Sequence, residues 1–214
     1  MILFELCGQN EQHPAYQAFE VSNGSRQYDF LRSIVGASLA VQRPFLSTHL
    51  LKALNFQAIT CLHTNAGEYR PCPVTVGDYQ PPAHYRVEAL MDDLVNFVNR
   101  MWEVSDPVAL AAFVLWRLNH IHPFINGNGR TARAAAYFVL CVKAGQWLPG
   151  TTILPELLRR DRDAYVVALK KVDDSAAAGA LDMTELHALM VKLLNEQLNG
   201  AAPSAPAPNA ETPQ

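Results

Sequence analysis

The residues best equipped for chemistry lie in one run of twelve, His122-Pro-Phe-Ile-Asn-Gly-Asn-Gly-Arg-Thr-Ala-Arg133. Imidazole accepts a proton near neutral pH more readily than any other side chain, which makes His122 a candidate general base. Gly127, Asn128 and Gly129 tolerate positive φ and leave backbone N–H groups uncovered. Such a loop at a helix N-terminus forms an anion nest, where unpaired amides and the helix dipole act together on a phosphate. Arg130 and Arg133 are three apart and share a helix face beside that nest, and guanidinium forks there suit bidentate phosphate contacts. A base, an anion cradle and two arginines at this spacing point to phosphoryl or nucleotidyl transfer. The GxxxxGK[ST] pattern is missing, which excludes a Walker P-loop. His120, two residues before the candidate base, reads as a structural histidine.

Two apolar stretches must position this run. Residues 109–121 read as a helix that is apolar nearly all round and hence central to the core, and Pro123 forbids its continuation. Residues 130–144 read as a second helix, with Gly145 at its C′ position. Apolar spacing predicts further helices at 28–40, 48–63, 161–172 and 184–198. Only 67–82 looks like strand: Val74, Thr75 and Val76 are followed by the turn residues Gly77 and Asp78, as in a short exposed hairpin. The expected fold is therefore all-α with one short β-hairpin. One domain is expected over 1–199, with N-terminal helices in 1–63, the hairpin in 64–82 and a helical core in 83–199. Residues 200–214, almost wholly Ala, Pro, Ser and Asn, read as a disordered tail.

Half of the 214 residues are hydrophobic and 17% are charged, which suits a globular chain with a sizeable core. A formal charge of −3 provides no basic stripe, so nucleic acid is a poor candidate partner. Cys7, Cys61, Cys72 and Cys141 form no CxxC pair and are expected as free thiols. No run of 18 apolar residues and no secretory leader is visible, so neither a membrane nor export is expected and the cytoplasm is the expected location.

The run from His122 to Arg133 resembles the Fic family signature, HPFx[D/E]GNGRxxR, at every defined position except 126. The likeness extends to Ala66-Gly67-Glu68-Tyr69-Arg70, to Pro81-Pro82 and to 162–169 with Tyr165, and covers roughly 53–198. The resemblance implies a protein adenylyltransferase, which moves AMP from ATP onto a Tyr, Thr or Ser hydroxyl of a target protein. It makes His122 the general base and Phe124 the anchor of the loop. Asn128 would orient the α-phosphate, Gly127 and Gly129 would supply a backbone anion hole, and Arg130 and Arg133 would hold the β- and γ-phosphates. The hairpin at 67–82 would be a flap that aligns the target by strand-like pairing.

At position 126 the family signature has an Asp or Glu that holds the Mg²⁺ (or Mn²⁺) bridging the phosphates. Asn126 offers one neutral oxygen, so the resemblance implies a weakly held cation. Family members often carry an inhibitory [S/T]xxxE[G/N] segment whose Glu pairs with the second arginine of the signature, here Arg133. Thr64 to Glu68 and Thr152 to Glu156 have that spacing, but Tyr69 and Leu157 follow them. No internal inhibitor is expected, and a separate small inhibitor protein is the implied alternative. Two further readings keep the fold: an enzyme that transfers another nucleotide or phosphodiester group or runs the reaction backwards to remove AMP, and a nucleotide- or protein-binding module whose chemistry Asn126 has attenuated.

Overall fold

The computed structural model of the chain describes residues 2–44 and 46–200; the tail expected at 200–214 lies, after Gly200, outside them. Nine α-helices run through the described residues. They are α1 (Leu3–Leu6), α2 (Pro14–Val41), α3 (Thr48–Ile59), α4 (Val87–Met101), α5 (Pro107–Ile121), α6 (Asn128–Lys143), α7 (Leu154–Arg160), α8 (Arg162–Ala177) and α9 (Thr184–Asn199), with a short 3₁₀ turn at His84–Arg86. The described residues contain no sheet, only two isolated antiparallel bridges, Tyr69 with Phe124 and Val76 with Tyr79. The architecture is all-α. No described helix is long and apolar enough to cross a membrane, and all four cysteines are free thiols.

The helix starts follow from capping chemistry. Asp106 Oδ1 accepts from the backbone N–H of Val108 and of Ala109, both at 2.9 Å, with Pro107 at N1 of α5. Ser47 Oγ caps α3 by accepting from Leu50 N at 3.1 Å. At its far end α6 closes as the glycine predicts. Gly145 takes φ +70°, and Gln146 N reaches back to Cys141 O at 3.1 Å.

Helices α5 and α6 pack most extensively against each other and form the centre of the molecule. Leu110, Ala111, Ala112, Val114, Leu115, Leu118 and Ile121 of α5 are buried, and Thr131 to Cys141 of α6 are buried except Arg133. Helices α2 and α3 flank α6. The described α2 begins fourteen residues before the expected helix, because His13 caps it and Pro14 opens it. Helix α3 stops at Ile59, four residues early. Cys61 there turns left-handed at φ 62°, and the carbonyls of Cys61 and Leu62 accept from Leu3 N and Phe4 N at the start of the chain. Helices α1, α4 and α7 are additions to those expected; α4 buries Val87, Met91, Leu94 and Val98.

Between Gly67 and Pro82 the chain carries one rung of the expected hairpin. Val76 N donates to Tyr79 O and Tyr79 N to Val76 O, both at 3.0 Å, around Gly77 and Asp78. Pro73, Pro81 and Pro82 have no N–H to donate, which stops the ladder from growing. The turn is fastened instead by side chains. The Tyr79 hydroxyl donates to His120 O at 2.8 Å, and His120 Nδ1 lies 2.7 Å from Asp173 Oδ1, which also accepts from Trp116 Nε1 at 2.8 Å.

One buried polar residue joins three elements. Asn55, on the inner side of α3 and 0% exposed, donates from Nδ2 to Asn126 O at 2.9 Å and to Thr131 Oγ1 at 3.3 Å, and accepts from Gly67 N at 3.0 Å. Removing its amide leaves buried donors and acceptors unpaired, at a cost of about 1–3 kcal/mol. Asn55→Ala is therefore expected to lower the melting temperature by roughly 2–10 °C, as a chain of this size converts free energy into midpoint. Calorimetric melting checks this, and an unchanged midpoint would remove Asn55 from the framework.

Candidate active site

Everything in the run from His122 to Arg133 is set by how α5 ends and α6 begins. Because Pro123 cannot be helical in sequence with α5, the chain leaves the helix at His122, which adopts left-handed backbone angles of φ 51° and ψ 58° while its N–H still closes the last turn on Leu118 O at 2.9 Å. For a residue with a Cβ this conformation costs about 1–2 kcal/mol, so surrounding contacts must hold it. His122 O accepts from Arg70 Nε at 2.8 Å, and Pro123 O accepts from Arg70 N at 2.8 Å. Phe124 follows, fully buried, with its ring 5.8 Å from that of Tyr69.

The His122 ring is half-buried, and Nδ1 makes a long contact of 3.4 Å with Asn119 O. A carbonyl can only accept, so the proton sits on Nδ1 and Nε2 carries the lone pair. Burial pulls the His122 pKa down to about 4, opposed by the Asn119 carbonyl and reinforced by the Arg70 cation. The side chain is thus a neutral imidazole across the physiological range.

The loop between the two helices uses its asparagines on itself. Asn128, 4% exposed, accepts from Phe124 N and donates to Phe124 O, each at 2.9 Å. Its amide ties the start of α6 to both the N–H and the carbonyl of Phe124. Gly127 takes φ +76°, and a Cβ at that position would lie 2.6 Å from Ile59 Cγ2, so glycine is required on two counts. Asn128 and Gly129 lie in the first turn of α6. Thr131 N, bonded to Gly127 O at 2.9 Å, is the first amide of the helix to close. The N–H groups of Asn128, Gly129 and Arg130 precede it at the positive end of the helix dipole.

The two arginines have different surroundings. Arg130 is engaged: Nη1 donates to Ala58 O at 3.0 Å and pairs with Glu20 Oε1 at 3.2 Å, and Nη2 donates to Asn126 Oδ1 at 3.1 Å. Arg133 is half-buried and makes no ion pair among the described residues. Burial lowers its pKa, opposed mainly by the Tyr165 and Tyr28 hydroxyls. The Tyr165 hydroxyl accepts from Asn119 Nδ2 at 2.8 Å, and the Arg133 guanidinium and the Tyr165 hydroxyl influence each other electrostatically.

Several of these contacts have no signal in the motif. Glu20 and Glu11 look like ordinary surface acids, yet α2 and the loop before it bring them onto the site. Glu11 Oε1 accepts from Asn126 Nδ2 at 3.0 Å. Of the two acids weighed as inhibitory, Glu68 instead pairs with Lys52 at 2.9 Å, and Glu156 opens α7. Asn55 and Arg70 could have been suspected as polar residues amid apolar neighbours. A groove of about 370 Å³ between α4 and α5, lined by Phe97, Arg100, Phe113, Trp116 and Arg117, includes none of the motif residues.

The residues around position 126 do not fit a divalent cation as arranged. Asn126 Oδ1 accepts from Gly127 N at 2.6 Å and from the Arg130 guanidinium, so both of its lone pairs face donors and a positive charge already sits beside it. No group of three His, Cys, Asp or Glu side chains suited to a metal exists among the described residues.

Residues 45–140 match the sequence model of the Fic/DOC family. Over those residues, just under half of its length, the chain is similar to that family. The protein adenylyltransferase Fic of Drosophila willistoni is 43% identical over 68 residues, which is 31% of this chain and 14% of the fly protein. The protein of the same name from Nematostella vectensis is 38% identical over 81 residues, 37% of this chain and 19% of its own length. The chain thus spans under a fifth of the curated relatives it matches. Among solved structures, a Fic domain containing signaling protein from Bacteroides thetaiotaomicron superposes with a TM-score of 0.61 at 24% identity, covering 85% of this chain and 67% of the other. Fic-1 from C. elegans gives 0.65 at 23% identity, covering 84% and 49%. These likenesses show the fold.

Two measurements follow from the site's electrostatics. A histidine whose pKa is depressed to about 4 stays deprotonated until the pH falls that far. Any reaction using His122 as base should therefore hold its rate down through pH 6.5 and lose it with a midpoint near 4, and a rate profile breaking at 6.5 would contradict the burial argument. Asn126→Asp replaces the donor facing Glu11 with a second carboxylate, which creates a paired acidic site where now there is none. Calorimetry should then find tighter Mn²⁺ binding than in the native chain, and unchanged affinity would show that position 126 has no part in holding metal.

Proposed function

We propose that this chain is a protein adenylyltransferase that moves AMP from ATP to a Tyr, Thr or Ser hydroxyl of another protein. The observation that supports it most directly is the pairing of a neutral His122, its Nε2 free to accept, with an anion-seeking pocket. That pocket is the open N-terminal turn of α6 beside Arg133, a half-buried guanidinium without a carboxylate partner. The relatives named protein adenylyltransferase agree with this reading and suggest ATP as the donor.

In the reaction, His122 Nε2 removes the proton from the target hydroxyl. The oxygen then attacks the α-phosphorus, a new P–O bond forms, and the bond from the α-phosphorus to the bridging oxygen breaks. Pyrophosphate leaves with the electron pair. The amides of Asn128, Gly129 and Arg130 lie where charge on the transferring phosphate is stabilised, and Arg130 and Arg133 neutralise the leaving phosphates. Asn128 serves by fixing the loop that presents these amides. An anionic donor reaching Arg130 competes with Glu20. Because the donors around Asn126 do not suit a cation, none of these steps runs through one. The target is proposed to lie along residues 67–82, where Val76 is exposed beside the single rung.

A second reading, a nucleotide-binding module, draws on the full engagement of Asn126. ATP, GTP, UTP and CTP labelled at the α- or γ-phosphate, incubated with a cell lysate, separate the two. Transfer of α-label from ATP is expected, and His122→Ala should reduce it about 10²- to 10⁴-fold while calorimetry still finds ATP bound. Binding without transfer supports the module, and transfer of γ-label would overturn the adenylyl reading.

A further inference from the structure

Arg70 is 2% exposed and takes part in no ion pair among the described residues. Its guanidinium is solvated by backbone carbonyls: Nε donates to His122 O at 2.8 Å, Nη1 to Cys72 O at 3.1 Å, and Nη2 to Pro82 O. Burying a charge in this way is expensive, and an apolar side chain would commonly fill such a space at less cost. What the apolar residue cannot do is hold three carbonyls from three places in one plane. Two of them, at Cys72 and Pro82, are the two ends of the part of the flap that carries the Val76 and Tyr79 rung. The third belongs to His122, whose left-handed backbone is the least favourable conformation in the motif loop.

We propose that Arg70 is the positioning residue for the base, a single buried fork that holds the peptide after His122 in its left-handed setting and couples that setting to Cys72 and Pro82 in the flap. The proposal rests on His122 acting as the base in the reading above. A residue before proline favours extended backbone, so without the Nε bond the peptide between His122 and Pro123 turns toward that region. The direction of the His122 Cα–Cβ bond turns with it, carrying Nε2 away from the transferring phosphate. Separation of Cys72 from Pro82 by anything lying along the flap pulls on the same guanidinium. Lysine keeps the charge but has neither the fork nor the plane.

The test uses Arg70→Gln and Arg70→Lys in the full chain. ATP affinity by calorimetry should stay at the native value, because Arg70 reaches none of the proposed phosphate groups. Single-turnover transfer should fall roughly 100-fold in both, the size of effect that misplacement of a reacting group by about 1 Å produces. The His122 ring nitrogens, followed by NMR in the nucleotide-free protein, should move in both variants. Full activity in Arg70→Lys would overturn the proposal, as would an unmoved His122 ring in a folded variant or losses in rate that only track the folded fraction. Should either variant fail to fold, the native chain answers alone. The Arg70 Nε–H should exchange slowly with solvent and show a through-bond coupling to the His122 carbonyl, and rapid exchange without coupling overturns the clamp. A native chain that transfers no nucleotide sinks the adenylyl reading, while the ring and exchange measurements still decide whether Arg70 sets the His122 backbone.

Discussion

Two helices buried on nearly every side, α5 and α6, are joined by six residues, and the structure of the site follows from that constraint. Neither helix can shift to relieve strain in the connection, because each is packed into the core along its length. The connection must therefore satisfy its own polar groups at a fixed span. Asn128 closes on Phe124, Asn126 on Gly127, and Asn55 reaches in from α3 to Asn126 O. A left-handed histidine at one end and a left-handed glycine at the other let so short a connection reverse direction. Among the described residues the first amides of α6 precede its first closed turn and Arg133 makes no ion pair, and groups of both kinds bind anions.

Charge around this opening is unevenly distributed. Arg130 is met by Glu20 and by Asn126, and Asn126 is met in turn by Glu11, so the side facing α2 is compensated within the chain. The side facing Tyr165 and Tyr28 is not: there Arg133 makes no ion pair among the described residues, and the two tyrosines only oppose the effect of its burial. Of the two arginines one is thus already committed to a carboxylate and one is not. The neutral histidine beyond them adds no positive charge to the balance.

The motif was the part of this arrangement most legible in the sequence, because its chemistry is local. Pro123 must end a helix, Gly127 must take a backbone angle other residues avoid, and Arg130 and Arg133 must share a face once α6 starts. Helices α5, α6, α8 and α9 were legible for a similar reason, as apolar residues recur along each with the helical period. The β-branched run at Val74 to Val76 favoured strand, yet a ladder needs N–H donors and the neighbouring prolines have none, so only the Val76 and Tyr79 rung forms. Asn55 stands out locally only as a polar residue among apolar neighbours, and its partners lie 12, 71 and 76 residues away, so its role was not legible. Glu11 and Glu20 are silent in the sequence because nothing about a surface acid reveals which basic group a distant helix will bring to it.

Arg70 reaches the stretch from Cys72 to Pro82 through backbone carbonyls at those two residues, and every amino acid supplies the same carbonyl. The identities of the residues between those points therefore do not enter the fastening, apart from Tyr79, whose hydroxyl reaches His120. This gives the molecule a modular character. Side chains between Cys72 and Pro82, Tyr79 apart, can therefore be exchanged without removing a bond that Arg70 makes, and the surface this stretch presents is separable from the peptide at His122.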